Sequence, residues 1–361
     1  MNTDDVLAAL ATVQDPELQR SVVELGMVRD VEIADDRLSV RLVLTTAACP
    51  LKGRIQSETE QALAAIADGR LIEVVMDAMS PEECERLATS VAGDVGMPHT
   101  PFGPGSRTRV LAVASGKGGV GKSTVTANLA VALARQGHAV GLIDADVYGP
   151  TIPLMFGLAA VTPQSHDGKL LPPEAHGVKL VSMGFFLQDD EPVIWRGPML
   201  GRAMEQFLGD VLWGSPDFLL IDLPPGTGDI ALTVAQMIPT AEMIVVTTPQ
   251  EAASRVAAKA AKMARLTKHR VIGVIENMSY FVCPNCGEKH FIFGHGGAFE
   301  IARAADTALL GRIPLDEATR SAGDAGRPPA LDPQSQVGAV FHEIAHSVAA
   351  LPPAAATGGR A

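Results

Sequence analysis

Apolar residues along the first 90 positions follow two different rhythms. Residues 4–12 (DDVLAALAT) space theirs at three and four, the period of a helix. Val28–Ile33 and Leu38–Leu44 alternate apolar with polar positions, the period of a half-buried strand. Asp35-Asp36 between them has turn chemistry, so the pair predicts a hairpin. A second helical pattern covers residues 51–66, and the apolar run Ile72–Met76 follows it. Residues 1–90 therefore predict a small α+β domain. Residues 91–107 (VAGDVGMPHTPFGPGSR) carry Gly and Pro without any period and predict a linker.

From residue 108 the pattern changes. Six short apolar runs recur, at Val110–Ala114, Val140–Ile143, Leu180–Met183, Phe218–Ile221, Met243–Thr247 and Arg270–Ile275. They do not alternate, and helical patterns lie between them. Strands that are apolar on every position are buried on both faces, as in a parallel sheet covered by helices. The fold class predicted is α/β: residues 108–350 form a doubly wound, mostly parallel sheet covered by helices, preceded by the small α+β domain. The ending LPPAAATGGRA (351–361) predicts a disordered tail.

Composition narrows the function classes. Of the 361 residues, 47% are hydrophobic and only 4% aromatic, which suits a large aliphatic core. The net charge of −12 lacks the basic footprint of a general nucleic-acid binder. The start, MNTDDVLAAL, has neither a basic region nor a long apolar run, so no signal peptide is expected. No uncharged apolar stretch reaches the ~18 residues of a membrane span. Four cysteines, Cys49, Cys84, Cys283 and Cys286, do not make a disulfide framework in so long a chain. A reduced, cytoplasmic protein that binds neither nucleic acid nor membrane is the expectation.

The strongest chemical signal is Ser115-Gly-Lys-Gly-Gly-Val-Gly-Lys-Ser-Thr124. Gly116 to Ser123 fits G-x-x-x-x-G-K-[ST], with an apolar strand before it and a helical pattern (123–136) after it. Gly116, Gly118, Gly119, Val120 and Gly121 would turn backbone N–H groups onto phosphate oxygens, beside Thr124 at the helix start. The helix N-terminus adds partial positive charge. Lys122 would reach the β- and γ-phosphates of ATP, and the Ser123 hydroxyl would ligate Mg²⁺. Two further apolar strands end in acids. Asp144-Ala-Asp146 closes one, and Asp222 closes the other ahead of Leu-Pro-Pro-Gly226-Thr-Gly-Asp229. Acids at strand ends lie on the rim where open α/β sheets bind ligands. Asp222 is expected to hold Mg²⁺ and Gly226 to meet the γ-phosphate. No N-K-x-D guanine signature is present, which favours adenine.

The second signal is Cys283-Pro-Asn-Cys286-Gly, a pair spaced to grip one metal or one cluster edge. One pair does not complete a four-ligand site. Two subunits each donating a pair, a Cys₂His₂ zinc site with His290 and His295, and a redox couple all remain open at this point. Cys49 lies between a strand and a helix, where helix N–H groups lower a thiol's pKa. Cys84 lies in a polar helical pattern and reads as incidental.

The GKGGVGKST string resembles the deviant Walker A superfamily of nitrogenase iron protein, septum-site, partition and cluster-carrier ATPases. That resemblance implies that Lys117 reaches across a homodimer to the partner's nucleotide. It also implies that Asp146 orients the attacking water, Asp144 lies near the metal, and Asn277 and Pro314 flank the adenine. DADVYGPTIP (144–153), WRGPM (195–199), DLPPGTGD (222–229), ENMS (276–279), CPNCG (283–287) and FGHGG (293–297) together resemble the Mrp/ApbC family of iron–sulfur cluster carrier ATPases. Asp15-Pro-Glu17, Glu24-Leu-Gly-Met-Val28 and Thr45–Pro50 resemble the small domain of iron–sulfur assembly factors. The implied protein is a homodimer that binds ATP and Mg²⁺, carries a [4Fe–4S] cluster between two Cys283/Cys286 pairs, and delivers it to apo iron–sulfur proteins. The competing readings are a positioning or partition ATPase, for which the cationic face Arg255/Lys259/Lys262/Arg265 is the candidate surface, and a zinc-containing ATPase switch.

Overall fold

The computed structural model describes residues 1–15, 20–44, 52–80, 83, 100–103, 105–147, 149–186, 197–226, 234, 237–250 and 269–353. Two compact units divide between Met97 and Pro98. In the first, helices α1 (Thr3–Leu10) and α2 (Lys52–Ala64) accompany strands β1 (Val28–Ile33), β2 (Arg37–Leu44) and β3 (Leu71–Ala78). Strands β1 and β2 form the antiparallel hairpin that the alternation predicts, closed by Ala34 N–H donating to Arg37 O, and β3 joins β2 in parallel. Val6, Leu10, Leu38, Val40, Leu42 and Ile55 lie in its core.

The second unit is built on an eight-stranded sheet. Its order is β15 (Ala308–Arg312), β12 (Arg270–Glu276), β11 (Glu242–Thr247), β4 (Arg109–Ser115), β10 (Phe218–Asp222), β5 (Val140–Asp144), β9 (Val178–Ser182) and β8 (Glu174–Ala175). All neighbours run parallel except the edge pair β8–β9. Two short hairpins stand outside it, β6 (Gln164–His166) with β7 (Lys169–Leu171), and β13 (Phe281–Val282) with β14 (Lys289–His290). Every residue of β5, β10 and β11 is buried, the outcome that non-alternating apolar runs require. Strand β4 shows how one strand serves two cores. Leu111 and Val113 face one, and Val110, Ala112 and Ala114 face the other.

Helix α3 (Lys122–Arg135) lies on the first core, with Ala127, Ala130 and Ala132 buried in it. Helix α4 (Ile152–Met155) follows β5, and helix α5 (Gly197–Gly209) contributes Met204, Phe207 and Leu208 to the second core. Helices α6 (Gly297–Ala304), α7 (Glu317–Asp324) and α8 (Gln336–Ala350) complete the unit. Asn128 of α3 donates to Thr124 O and accepts from Ala330 N–H, both at 2.9 Å, which fixes the segment leading into α8.

The end of the sheet away from the strand C-termini is held by charge. Glu242 is 1% exposed and pairs with Arg109 and, at 3.3 Å, with Arg270. Those arginines donate onward to the carbonyls of Val348, Leu351 and Pro352, where α8 stops. Removing one partner of a buried pair leaves the other uncompensated, at a cost of about 3–5 kcal/mol. Glu242→Ala is therefore expected to lower the stability of this unit by about that amount. Urea unfolding measures the loss, and hydrogen exchange should rise first over residues 336–353.

Candidate functional site

The strand C-termini bring the polar residues to one rim by register alone. Across three adjacent parallel strands Asp222 stands opposite Asp144, and Asp144 opposite Ser182. The loop from Gly116 to Gly121 leaves β4 on the same rim and enters α3. Gly119 (φ +79°) and Gly121 (φ +78°) occupy left-handed backbone that other residues rarely adopt.

Asp222 is the junction of the site, with no exposed surface. It accepts from Ser123 Oγ at 2.6 Å and from Thr126 Oγ1 at 2.8 Å, and it pairs with Lys122 Nζ at 2.7 Å. Lys122 is 5% exposed and also lies 3.3 Å from Ser123 Oγ and 3.9 Å from Asp146 Oδ2. Asp144 accepts from Ser182 Oγ at 3.0 Å and from Asp146 N–H at 3.2 Å. Burial, reinforced by the Asp222 charge, pushes the Asp144 carboxyl up to about 7 against the pull of those hydrogen bonds and of Lys122. The donor set is oxygen only, a hydroxyl and carboxylates. It suits a hard cation such as Mg²⁺, with Ser123 and Asp222 as the groups that would hold it.

A cavity of about 260 Å³ follows the loop from Ser115 to Thr124 and reaches Asp146 and Pro225. Lys117 lines it, and among the described residues no carboxylate pairs with its ammonium. Gly226 N–H donates to Ser115 O at 3.0 Å, which places the turn after Asp222 against the loop's first strand. A second cavity, of about 390 Å³, shares Gly121, Thr124, Thr151 and Met155 with the first. Asn277, Met278, Pro314 and Leu315 form one wall of it, and Asp316, Thr319 and Arg320 another. The shared residues join the groove along the loop to a larger, mostly apolar chamber, a form that takes the phosphates and base of one nucleotide.

Several of these groups were not singled out from the sequence. Thr126 is one helical turn past Lys122, a spacing with no signature of its own. Ser182 ends an apolar strand as Asp144 and Asp222 do, and that shared ending was a usable signal. Thr151, Asp316, Thr319 and Arg320 reach the second cavity through tertiary packing that no local pattern announces.

The cysteine pair sits in the turn of the β13–β14 hairpin, which grows from the segment after β12. Cys283 N–H donates to Glu288 O at 2.9 Å, and Gly287 N–H to Cys283 O at 2.8 Å. Cys286 is exposed and Cys283 half-buried, and both are free thiols. Backbone N–H bonds, from Cys286 foremost and then Asn285, hold the Cys283 thiol below its ordinary range, with the Cys286 side chain adding to the effect. Among the described residues no group of three His, Cys, Asp or Glu side chains assembles a metal site. His290 and His295 do not stand with the pair as a ligand set in this structure. Instead His295 packs edge-on to Phe291, and Phe291 against Tyr280. Cys49, Cys84, Trp195, Arg196, Thr227–Asp229 and the cationic face at 255–265 fall outside the described residues, as does the tail from 354. Among the described residues no helix is long and apolar enough to cross a membrane.

Comparison with known proteins joins these features. A family described as NUBPL iron-transfer P-loop NTPase matches residues 106–349, and one described as iron-sulfur cluster assembly protein matches residues 3–75. An iron-sulfur cluster carrier protein of Mycobacterium leprae is 49% identical over 335 residues, spanning 91% of this chain and 87% of its own. One of Synechocystis sp. is 43% identical over 355 residues, 97% of each chain. Among solved structures, a nucleotide-binding protein in complex with ADP from Archaeoglobus fulgidus superposes with a TM-score of 0.56. It is 44% identical, covering 62% of this chain and 89% of its own. The MinC:MinD cell division complex of Aquifex aeolicus, at 20% identity and a TM-score of 0.50 over 68% of this chain and 97% of its own, shares the fold alone. Matched over both the nucleotide-loop sheet and the small unit before it, the chain belongs to the iron-transfer P-loop NTPases, the family of the iron–sulfur cluster carrier proteins.

Proposed function

We propose that this chain is a cytoplasmic ATPase that works as a homodimer, holding a [4Fe–4S] cluster between two Cys283/Cys286 pairs and passing it to apo-proteins. The observation that carries this reading is half a metal site on a nucleotide-binding scaffold. The hairpin presents two thiols and no third ligand among the described residues, so a second copy supplying the same pair completes four.

At the nucleotide, Lys122 binds the β- and γ-phosphates, Ser123 and Asp222 hold Mg²⁺, and Asn277, Met278 and Pro314 line the chamber for the base. Mg²⁺ held by Ser123 and Asp222 would offset the charge of the phosphates. Asp146, within reach of Lys122, orients the attacking water, and Asp144, which accepts from Asp146 N–H, lies near the metal. Lys117 acts on the partner's nucleotide and supplies positive charge where the transition state spreads negative charge. A partition or positioning role has weaker support, because the features of this chain outside the nucleotide site include a two-thiol knuckle that such a role does not need.

Asp144 tests whether burial serves function at the expense of stability. Its carboxyl titrates near 7 in the folded chain against 3.8 as the ordinary value. The folded state therefore holds the proton more tightly, and stability falls as pH rises through that window. In metal-free protein, Asp144→Asn is expected to raise the melting temperature at pH 8, and the gain should vanish towards pH 4. The same substitution should lower ATP hydrolysis.

Lys117 and Asp146 can be tested in mixture. Lys117→Ala alone should retain nucleotide binding and lose hydrolysis by roughly 10³-fold, as for a charge supplied in trans. Asp146→Asn alone should also be inactive. Mixing the two rebuilds one complete site per mixed dimer, so activity should return; a mixture as dead as its parents excludes the partner role.

The direct test of the cargo is anaerobic reconstitution with iron and sulfide. About four iron and four sulfide per dimer, lost in Cys283→Ala/Cys286→Ala with ATP binding retained, is the expected result. One zinc per monomer with no retained iron would sink the carrier reading and leave a zinc-containing ATPase switch.

A further inference from the structure

The phosphate loop and the cysteine hairpin are joined through one side chain and one backbone ribbon. Asn277 follows the last residue of β12 and is 8% exposed. Its Nδ2 donates to Val120 O in the loop at 2.9 Å, and its Oδ1 accepts from Met278 N–H at 2.9 Å. Its own N–H donates to Thr247 O at 2.8 Å. The carboxamide thus lies across the loop, with its oxygen and one N–H engaged by backbone. Gly121 makes room for it, since a Cβ there would overlap Asn277 Nδ2.

From Asn277 the chain runs six residues to Cys283 and is braced all the way. Ile313 N–H donates to Glu276 O at 2.8 Å, Ser279 N–H to Ile313 O at 2.9 Å, and Leu315 N–H to Tyr280 O at 2.7 Å. Phe281 bridges to Leu315 and also pairs with His290 inside the cysteine hairpin. Ile313, Pro314 and Leu315 are at the same time a wall of the larger nucleotide cavity. The ribbon is pinned at its root by buried Glu276, which accepts from Ser279 Oγ at 2.5 Å and from Ala298 N–H at 3.2 Å.

We propose that this ribbon transmits nucleotide occupancy to the cysteine hairpin, and that Asn277 is its positioning residue, tying the loop to the ribbon. The inference rests on the nucleotide and cluster reading above. A ligand shifts a distant element only through contacts that differ between two arrangements of a connected structure. Phosphates drawn into the loop reset the Val120 carbonyl, and the Asn277 amide carries that displacement to the start of the ribbon. By reciprocity, cargo on the hairpin alters nucleotide affinity by the same factor.

The test needs no cargo. In reduced, metal-free full-length protein, hydrogen exchange over residues 281–290 is measured with and without a saturating non-hydrolysable ATP analogue, and binding is followed in the same samples. Wild type should show a nucleotide-dependent change of at least about fivefold, the low end of ordinary coupling. Asn277→Ala should bind the analogue at raised concentration and lose the change. Asn277→Asp keeps the acceptor for Met278 and lacks the donor to Val120; it should behave alike if the alanine variant folds poorly. A nucleotide response that survives both substitutions overturns the proposal. Wild type that binds the analogue without any hairpin response overturns the coupling alone, whereas wild type that binds no analogue overturns the nucleotide reading with it.

Discussion

A buried carboxylate at the end of a central strand is the constraint around which the site is arranged. Asp222 has no exposed surface, and a lone buried carboxylate would be costly. Lys122, Ser123 and Thr126 answer it, all from the first turns of α3. The same three bonds therefore neutralise the charge and dock the helix that follows the phosphate loop. They also hold the hydroxyl and the ammonium together where phosphate chemistry needs them. Stability and site geometry share one set of contacts here, so the site cannot be loosened without loosening the helix.

Asp144 shows the opposite balance. Its neighbours are hydrogen-bond donors of modest strength, and the nearest cation is already committed to Asp222. Burial, and then the Asp222 charge, therefore prevail and push the carboxyl up to about 7. Such a group is a liability to the fold in isolation and becomes favourable only beside added positive charge. That is the physical sense of clustering Asp144, Asp146 and Asp222 around one lysine on a rim lined with N–H groups. The far end of the sheet has its own buried acid, Glu242, but there two arginines pair with it.

The fold was largely legible because its determinants are local or periodic. Runs such as VLAVA and FLLI are apolar at every position, and only a doubly covered strand tolerates that. The observed β4, β5, β10, β11 and β12 each contain the run expected of them, with a polar residue added at one end or both, whereas β9 starts two residues before the expected Leu180–Met183 and stops at Ser182. Ser115, Asp144, Ser182, Asp222 and Glu276, the polar residues that end β4, β5, β9, β10 and β12, lie on the rim. The antiparallel edge strand β8 and the hairpin β6–β7 carry no comparable signal, being two and three residues long. For the site, the phosphate loop and the strand-end acids are brought together as their motifs suggest, since a motif encodes a backbone path. The chamber beside them is different. Its walls come from residues near 121, 151, 277, 314 and 320, whose meeting depends on how α4, α7 and α8 pack.

Asn277 illustrates why even a recognised residue can carry more than its motif suggests. Sequence resemblance points its amide at the base, whereas the structure engages that amide with Val120 and Met278. The two uses are compatible in principle, because one N–H remains. They differ in what else they explain. A base contact accounts for nothing about Gly121, the left-handed Met278 or the bracing of residues 279–281 by 313–315. A loop tie accounts for all three, since each is needed for a side chain at a strand end to reach back across the loop while its backbone turns towards the cysteines.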